Sequence, residues 1–222
     1  MSELYQTALK IVSKGKGILA ADESNPSMIK KFDSINVKSN PENRLNYREI
    51  LFSADGMKNY IGGVILFDET IKQITSSGTS IPDLIQNSGT IIGIKVDMGL
   101  KEHPDSSEEK VTEGLEGLKE RLEEYYKMGA RFTKWRALLN ISEKYPSEIA
   151  IQSNANTLAK YAALVQESNM VPIVEPEVLM DGDHDINKCY EVTAKVLTAC
   201  YAELKSHNVD LKGTLLKPNM VL

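Results

Sequence analysis

Little in this chain could bind a metal or cross-link it. Its 222 residues include two cysteines and three histidines. Cys189 and Cys200 fall in one predicted helix, about 16 Å of rise apart, which is too far to bridge. They read as buried thiols in a reducing compartment. His103, His184 and His207 are scattered without ligand spacing, so no metal is expected. Positive charge is in deficit, with 26 Lys and Arg against 31 Asp and Glu. That balance argues against non-specific nucleic-acid binding and offers a membrane no polybasic patch. No apolar run approaches the roughly 20 residues needed to span a bilayer. The start, Met1-Ser-Glu-Leu-Tyr5, has no basic region, hydrophobic stretch or Arg-rich amphipathic pattern. No targeting segment is read there, and a cytoplasmic location is expected. Also missing is a Gly-x-Gly-x-x-Gly after the first predicted strand, which removes the main support for a dinucleotide-binding fold.

What is present alternates between apolar runs and helical stretches. Gly17–Ala21, Gly62–Phe67, Thr90–Lys95, Arg131–Trp135, Val171–Glu175 and Leu211–Leu216 read as six strands, the first of them buried. Helices are expected at 3–13, 27–35, 41–54, from Pro82, at 153–167 and from an Asp185 cap to His207. A further long helix is expected over about 107–128, because Val111, Leu115, Leu118, Leu122 and Tyr125 step by four and three. Near-continuous apolar strands separated by helices imply a parallel α/β sheet covered on both faces. Doubly wound sheets and (β/α) barrels both fit.

Ionisable residues cluster at the strand ends: Asp22; Asp68 and Glu69; Lys95 and Asp97; Lys134 and Arg136; Glu175 and Glu177; Lys217. Lys134 and Arg136 share a strand face, as do Glu175 and Glu177, because strand side chains alternate. In a barrel these ends meet on one rim, the side where active sites sit. Pro218 lacks an N–H, so a strand carrying Lys217 stops there. If that strand's face is core, burial disfavours the charged lysine and leaves a neutral amine, a nucleophile towards ketones. The competing reading is a lysine snorkelling from a strand end. Asp181-Gly-Asp-His-Asp185 resembles a metal loop but fits a helix N-cap better, and Trp135 reads as packing.

Seven stretches are similar to those of class I fructose-bisphosphate aldolase, the Schiff-base, metal-independent family. They are Gly17-Ile-Leu-Ala-Ala-Asp-Glu-Ser24, Ile61-Gly-Gly-Val-Ile-Leu-Phe67, Gly93-Ile-Lys-Val-Asp97, Lys134-Trp-Arg136, Val171-Pro-Ile-Val-Glu-Pro-Glu177, Asp181-Gly-Asp-His-Asp185 and Gly213-Thr-Leu-Leu-Lys-Pro-Asn-Met-Val221. The resemblance implies a (β/α)8 TIM barrel of which this chain carries the first six β/α units. The activity it implies is reversible cleavage of fructose 1,6-bisphosphate to dihydroxyacetone phosphate and glyceraldehyde 3-phosphate, without a cofactor.

By resemblance, Lys217 forms the iminium and Glu175 is the acid/base that helps the carbinolamine lose water. Asp22 takes the C4-hydroxyl proton, Lys134 stabilises charge beside the iminium, and Glu177 supports the lysine pair. Ser24, Ser27 and Lys95 hold the C6-phosphate, with Arg136 close by. The family also implies a homotetramer and cytoskeletal partners such as actin. Residues 1–222 are expected to form a single aldolase barrel domain lacking its C-terminal third, that is strands seven and eight, the C1-phosphate loop and arginine, and the C-terminal tyrosine. The alternative is a catalytically impaired, aldolase-derived binding or scaffold protein.

Overall fold

Short polar residues and prolines set where the helices of this chain begin. The structure, a computed structural model, describes residues 2–222 apart from the side chain of Ser107. Met1, first of the residues read for a targeting signal, lies outside the described residues. In chain order the elements are α1 (Glu3–Ile11), β1 (Gly17–Ala21), α2 (Asn25–Asp33), α3 (Pro41–Phe52), α4 (Met57–Tyr60), β2 (Ile61–Leu66), α5 (Asp68–Ile71), α6 (Ile81–Asn87), β3 (Ile91–Lys95), β4 (Leu100–His103), β5 (Ser106–Thr112), α7 (Leu118–Lys127), β6 (Ala130–Leu139), α8 (Glu148–Glu167), β7 (Val171–Val178), α9 (Ile186–Ser206) and β8 (Leu215–Leu216). A 3-10 turn at Leu211–Gly213 precedes β8. Asn40 caps α3 by accepting from the Asn43 N–H at 2.7 Å, with Pro41 in the first turn. Ser80, Ser147 and Asp185 cap α6, α8 and α9 in the same way. Each cap satisfies an amide that the first turn leaves unpaired, worth about 1 kcal/mol.

Residues 9–95 and 124–132 form one compact unit. Its strands follow the order β1-β2-β3-β6, with β1–β2 and β2–β3 parallel. Ala21 lies opposite Leu66, and Leu66 opposite Ile94. The three strands therefore end level, and Asp22, Asp68 with Glu69, and Lys95 follow at one edge. Strand β2 is buried along nearly its whole length, as its apolar run implies. Strand β1 departs from the expectation of a buried strand, because only Ala21 is buried. Among the described residues it has a sheet neighbour on one side only, being first in the strand order. Gly93 makes room for the fully buried Phe132, since a Cβ there would lie 2.2 Å from the ring.

Residues 96–123 and 133–222, with the start of α1, form the second unit. Its strand order is β6-β7-β8, with β7 and β8 parallel and a separate β4–β5 hairpin. A core of Leu139, Ile151, Val178, Cys189, Val192 and Val196 packs α8 and α9 onto the strands.

The helix expected over 107–128 is corrected here. Residues 106–112 form the second strand of the hairpin, and the helix starts only at Leu118. Gly114 and Gly117 stand between them at φ +126° and +61°, a left-handed region that ends any helix reaching back from Leu118. Leu118, Leu122 and Tyr125 do form the buried stripe, whereas Val111 belongs to the hairpin. The sixth strand is also shorter than Leu211–Leu216, because Leu211–Gly213 coils into the 3-10 turn. Strands β6 and β7 run past their expected ends at Trp135 and Glu175, to Leu139 and Val178. No helix among the described residues is long and apolar enough to cross a membrane.

Candidate active site

In the second unit, β6, β7 and β8 bring five of the expected residues into two charged groups. Glu175 is the hub of the first, with its side chain 3% exposed. The Lys217 ammonium donates a short hydrogen bond to its Oε1. Lys134 Nζ lies 3.1 Å from its Oε2, with the Lys134 side chain 10% exposed. One carboxylate thus stands between two lysines. Two residues along β7, Glu177 accepts from Arg136 Nε, and both of these side chains are more open to solvent. Strand alternation turns Glu175 and Glu177 to the same side, and Lys134 and Arg136 likewise.

Lys217 itself corrects the sequence reading. A desolvated amine was the expectation for it, but the side chain is 48% exposed. The reason is positional: among the described residues β8 has only β7 beside it, and its ladder is two residues long. The Lys217 N–H donates to Val174 O at 3.0 Å, and Pro218 then ends the strand as expected. Below this cluster the packing is dry. Tyr161 is fully buried, bonds Thr133 Oγ1 at 2.6 Å and donates to Ile173 O at 3.1 Å. Burial pushes its phenol well above the ordinary value. Trp135 is fully buried against the Tyr161 ring, with centroids 5.2 Å apart, which fits the packing role read for it.

In the first unit, the turn after β1 carries Asp22, Glu23 and Ser24. Asp22 is buried, and the helix N-cap falls at Ser24 rather than at Asp22. The Ser24 side chain makes no capping bond and instead meets Ser27 Oγ at 3.1 Å. Two hydroxyls of the expected phosphate site are therefore together. Lys95 closes β3 at the same sheet edge, half-buried.

An arginine pair that the sequence reading missed supports this turn. Arg48 is fully buried and donates to the Glu23 carbonyl at 2.7 Å. Burial pulls its guanidinium below the ordinary value. Arg44 grips Glu69 with two hydrogen bonds of 2.9 and 2.6 Å. That grip holds the Glu69 carboxyl below its usual range and raises the Arg44 guanidinium. Glu23 also takes Lys31 Nζ at 2.5 Å, a hydrogen bond that raises the Lys31 ammonium. The available signal was the spacing Arg44, Arg48, Phe52, one face of α3 carrying charge where an apolar residue is usual.

A Ser-His-Asp arrangement also occurs, at the hairpin, and its hydrogen bonds argue against a nucleophile. His103 Nδ1 accepts from the Asp105 N–H at 3.1 Å, so its proton sits on Nε2 and points to Ser153 Oγ at 2.9 Å. A general base must accept from the serine, which is the opposite polarity. His103 therefore pins the hairpin to α8. Asp185 accepts from the Lys188 N–H at 2.9 Å as the cap of α9, matching the N-cap reading of the 181–185 loop. Both cysteines are free and buried, and burial pushes the Cys200 thiol up to about 12.

Comparison with known proteins adds the family. The model of the glycolytic class-I fructose-bisphosphate aldolase family matches residues 3–222. Fructose-bisphosphate aldolase C-B of Danio rerio is 53% identical over 220 residues, which are 99% of this chain and 61% of that protein. Cytosolic fructose-bisphosphate aldolase 4 of Arabidopsis thaliana is 52% identical, over 99% of this chain and 56% of that protein. A solved structure of the Plasmodium falciparum fructose-bisphosphate aldolase, in complex with TRAP and a small-molecule inhibitor, aligns at a TM-score of 0.97 and 49% identity. That alignment covers 99% of this chain and 64% of the other. The chain thus spans about three-fifths of the length of the relatives it matches. The alternation of strand and helix is that of the first six β/α units of a (β/α)8 barrel. By the family model and by identity along its whole length, this chain belongs to the class I fructose-bisphosphate aldolases.

Proposed function

We propose that the chain carries the Schiff-base machinery of a fructose 1,6-bisphosphate aldolase. The observation that carries this reading is Glu175, a buried carboxylate held between the amines of Lys217 and Lys134. An amine already hydrogen-bonded to a carboxylate can pass it a proton and attack a ketone. Lys217 Nζ then bonds to C2 of the sugar, giving a carbinolamine. Glu175, now protonated, returns its proton to the departing hydroxyl, water leaves, and the iminium forms. Its positive nitrogen draws the electron pair of the C3–C4 bond, producing an enamine. In the same step the C4-hydroxyl loses its proton to Asp22 and leaves as the aldehyde. By family resemblance, Lys134 stabilises charge beside the iminium and Glu177 supports the lysine pair.

Ser24, Ser27 and Lys95 suit the C6-phosphate, since hydroxyls and a cation complement its oxygens; Arg136 is assigned to phosphate binding by family resemblance alone. No cofactor enters this scheme. A cytoplasmic homotetramer, and protein partners of the cytoskeletal kind, extend the same family reading. The Arabidopsis relative's cytosolic name supports the location, and the complex of the Plasmodium aldolase with TRAP supports protein partners.

The test is to incubate the folded chain with dihydroxyacetone phosphate, reduce with borohydride and map the product by mass spectrometry. A reduced adduct on Lys217 is expected. A folded chain left unmodified at Lys217 would overturn this proposal and leave the binding or scaffold role.

A further inference from the structure

The strand that presents Lys217 is too short to fix its own register. Strand β8 pairs with β7 at only two positions, Leu215 opposite Ile173 and Leu216 opposite Val174. A slip of one residue would turn Lys217 to the other face of the sheet. The Lys217 N–H adds one bond, to Val174 O, and Pro218 follows at once. Something outside the ladder has to set the phase.

Gln166, near the end of α8, is placed to do so. Its Nε2 donates to Asp210 O at 2.8 Å, to Gly213 O at 3.2 Å and towards Thr214 Oγ1 at 3.2 Å. Its Oε1 accepts from the Asp210 N–H at 2.8 Å. Both ends of one amide are thus spent on residues 210–214, the segment that delivers β8. That segment is itself closed on Asp210, whose carbonyl accepts from the Gly213 N–H and the Thr214 hydroxyl, both at 3.0 Å. The Asp210 carboxylate takes the Lys212 N–H. Gly213 leaves room for the clamp, since a Cβ there would come within 2.9 Å of Leu4 and 3.3 Å of Gln166 Nε2. Downstream of Lys217, Asn219 donates to Thr193 Oγ1 at 3.1 Å and receives Val178 N–H at 3.5 Å, the longer and weaker hold.

We propose that Gln166 is a positioning residue that sets the register of β8 and so aims Lys217 at Glu175; its effect on chemistry, though not on register, rests on the Schiff-base reading above. Gln166→Met keeps the length of the side chain and removes all its hydrogen bonds. Gln166→Glu keeps the acceptor for Asp210 N–H but turns a carboxylate oxygen on the Asp210 and Gly213 carbonyls. Two readouts separate register from general stability. The first is amide hydrogen exchange, resolved at Leu215 and Lys217, whose N–H groups face β7, and, as reference, in β7 and α8. The second is the rate of borohydride trapping of dihydroxyacetone phosphate at Lys217, followed against substrate concentration.

In Gln166→Met, exchange at Leu215 and Lys217 should quicken by about tenfold or more with the reference amides unchanged, the scale of one lost hydrogen bond. Trapping at saturating substrate should slow by a similar factor, with the half-saturating concentration preserved. Gln166→Glu should be worse on both counts. Unchanged exchange at Leu215 and Lys217 in both variants overturns the proposal. So does a uniform loss of protection across α8, β7 and β8, which would make Gln166 merely structural. If the unsubstituted chain forms no adduct, the Schiff-base reading fails, and the exchange measurement still decides the clamp.

Discussion

Replacing Glu175 with glutamine tests the charged hub on stability and on chemistry at once. The substitution keeps the shape and removes the negative charge between two lysines. The costs on the two sides differ. Lys217 is 48% exposed, so its ion pair is worth only about 0–1 kcal/mol. Lys134 is 10% exposed and faces a carboxylate that is 3% exposed. Breaking a buried pair by removing one partner costs about 3–5 kcal/mol, because the other charge is left desolvated. The neutral amide still offers an oxygen to one lysine, which puts the expectation near the lower end, about 3 kcal/mol. With a urea slope of about 1–3 kcal/mol per molar, the midpoint should fall by about 1–3 M. Adding Lys134→Met removes the stranded charge, so Lys134→Met/Glu175→Gln should recover most of the loss. Trapping at Lys217 should fall about 10²–10⁴-fold in Glu175→Gln, the usual range for a lost acid/base group, and should stay low in the double variant. A single variant within about 0.5 kcal/mol of the unsubstituted chain, or a double variant whose loss is the sum of the two singles, would refute the reasoning.

Three further outcomes follow from the packing and the titrating groups. Gly93→Ala should lower the melting temperature by about 6–12 °C, because its Cβ would sit 2.2 Å from a Phe132 ring that is fully buried and cannot move aside, a cost of about 3 kcal/mol. Gly17→Ala, with nothing within 4 Å, should leave the melting temperature nearly unchanged. Cys200, its thiol pushed up to about 12 by burial, should resist iodoacetamide at pH 8 until the chain is unfolded, and prompt alkylation of the folded protein would contradict this. Glu69 is held below its ordinary value by Arg44, so its carboxylate adds stability above the unfolded value near 4.3 and loses that contribution as pH falls through the lower folded value. Glu69→Gln should accordingly show a flatter acid limb in urea titrations between pH 7 and pH 3, and an unchanged limb would discard the linkage.

The parts of this fold that were legible in the sequence are those decided by local chemistry. Gly17–Ala21 was read with its observed ends, and Asn40-Pro41 and Asp185 start helices because a cap and a fixed φ act within three residues. The hairpin at 100–112 was not legible. The stepping of Val111, Leu115 and Leu118 satisfies a helical template, and nothing in apolar spacing registers the left-handed backbone at Gly114 and Gly117. The charged hub was half legible. Lys134, Glu175 and Lys217 could be placed at strand ends, but which carboxylate meets which cation depends on register between strands far apart in sequence. The exposure of Lys217 depends on what lies beside β8, which the residues of β8 do not encode. Gln166 was invisible because a glutamine near a helix end is usually a solvated one, and its partners lie more than forty residues away.

The two ion pairs on β6 and β7 say how such a register can be specified. Lys134 meets Glu175 and Arg136 meets Glu177, each pair two residues beyond the other on its strand. A slip of one residue would turn one row of charges to the opposite face and break both pairs, a loss made heavy by the burial of Lys134 and Glu175. A slip of two is subtler, because it could still join Arg136 to Glu175 and would strand only Lys134 and Glu177. Charge alternation alone therefore fixes the phase only to within a step of two. What removes that ambiguity is that the two acids are unequally housed. Glu175 is buried and receives a second cation from β8, whereas Glu177 is more open and receives Arg136. A guanidinium moved onto Glu175 would have to share the buried carboxylate with Lys217, while the Lys134 ammonium would lose its acid altogether. The contact between Lys217 and Glu175 is thus also the contact that selects one register from the two that charge would allow, and so the charged cluster and the sheet cannot be altered independently.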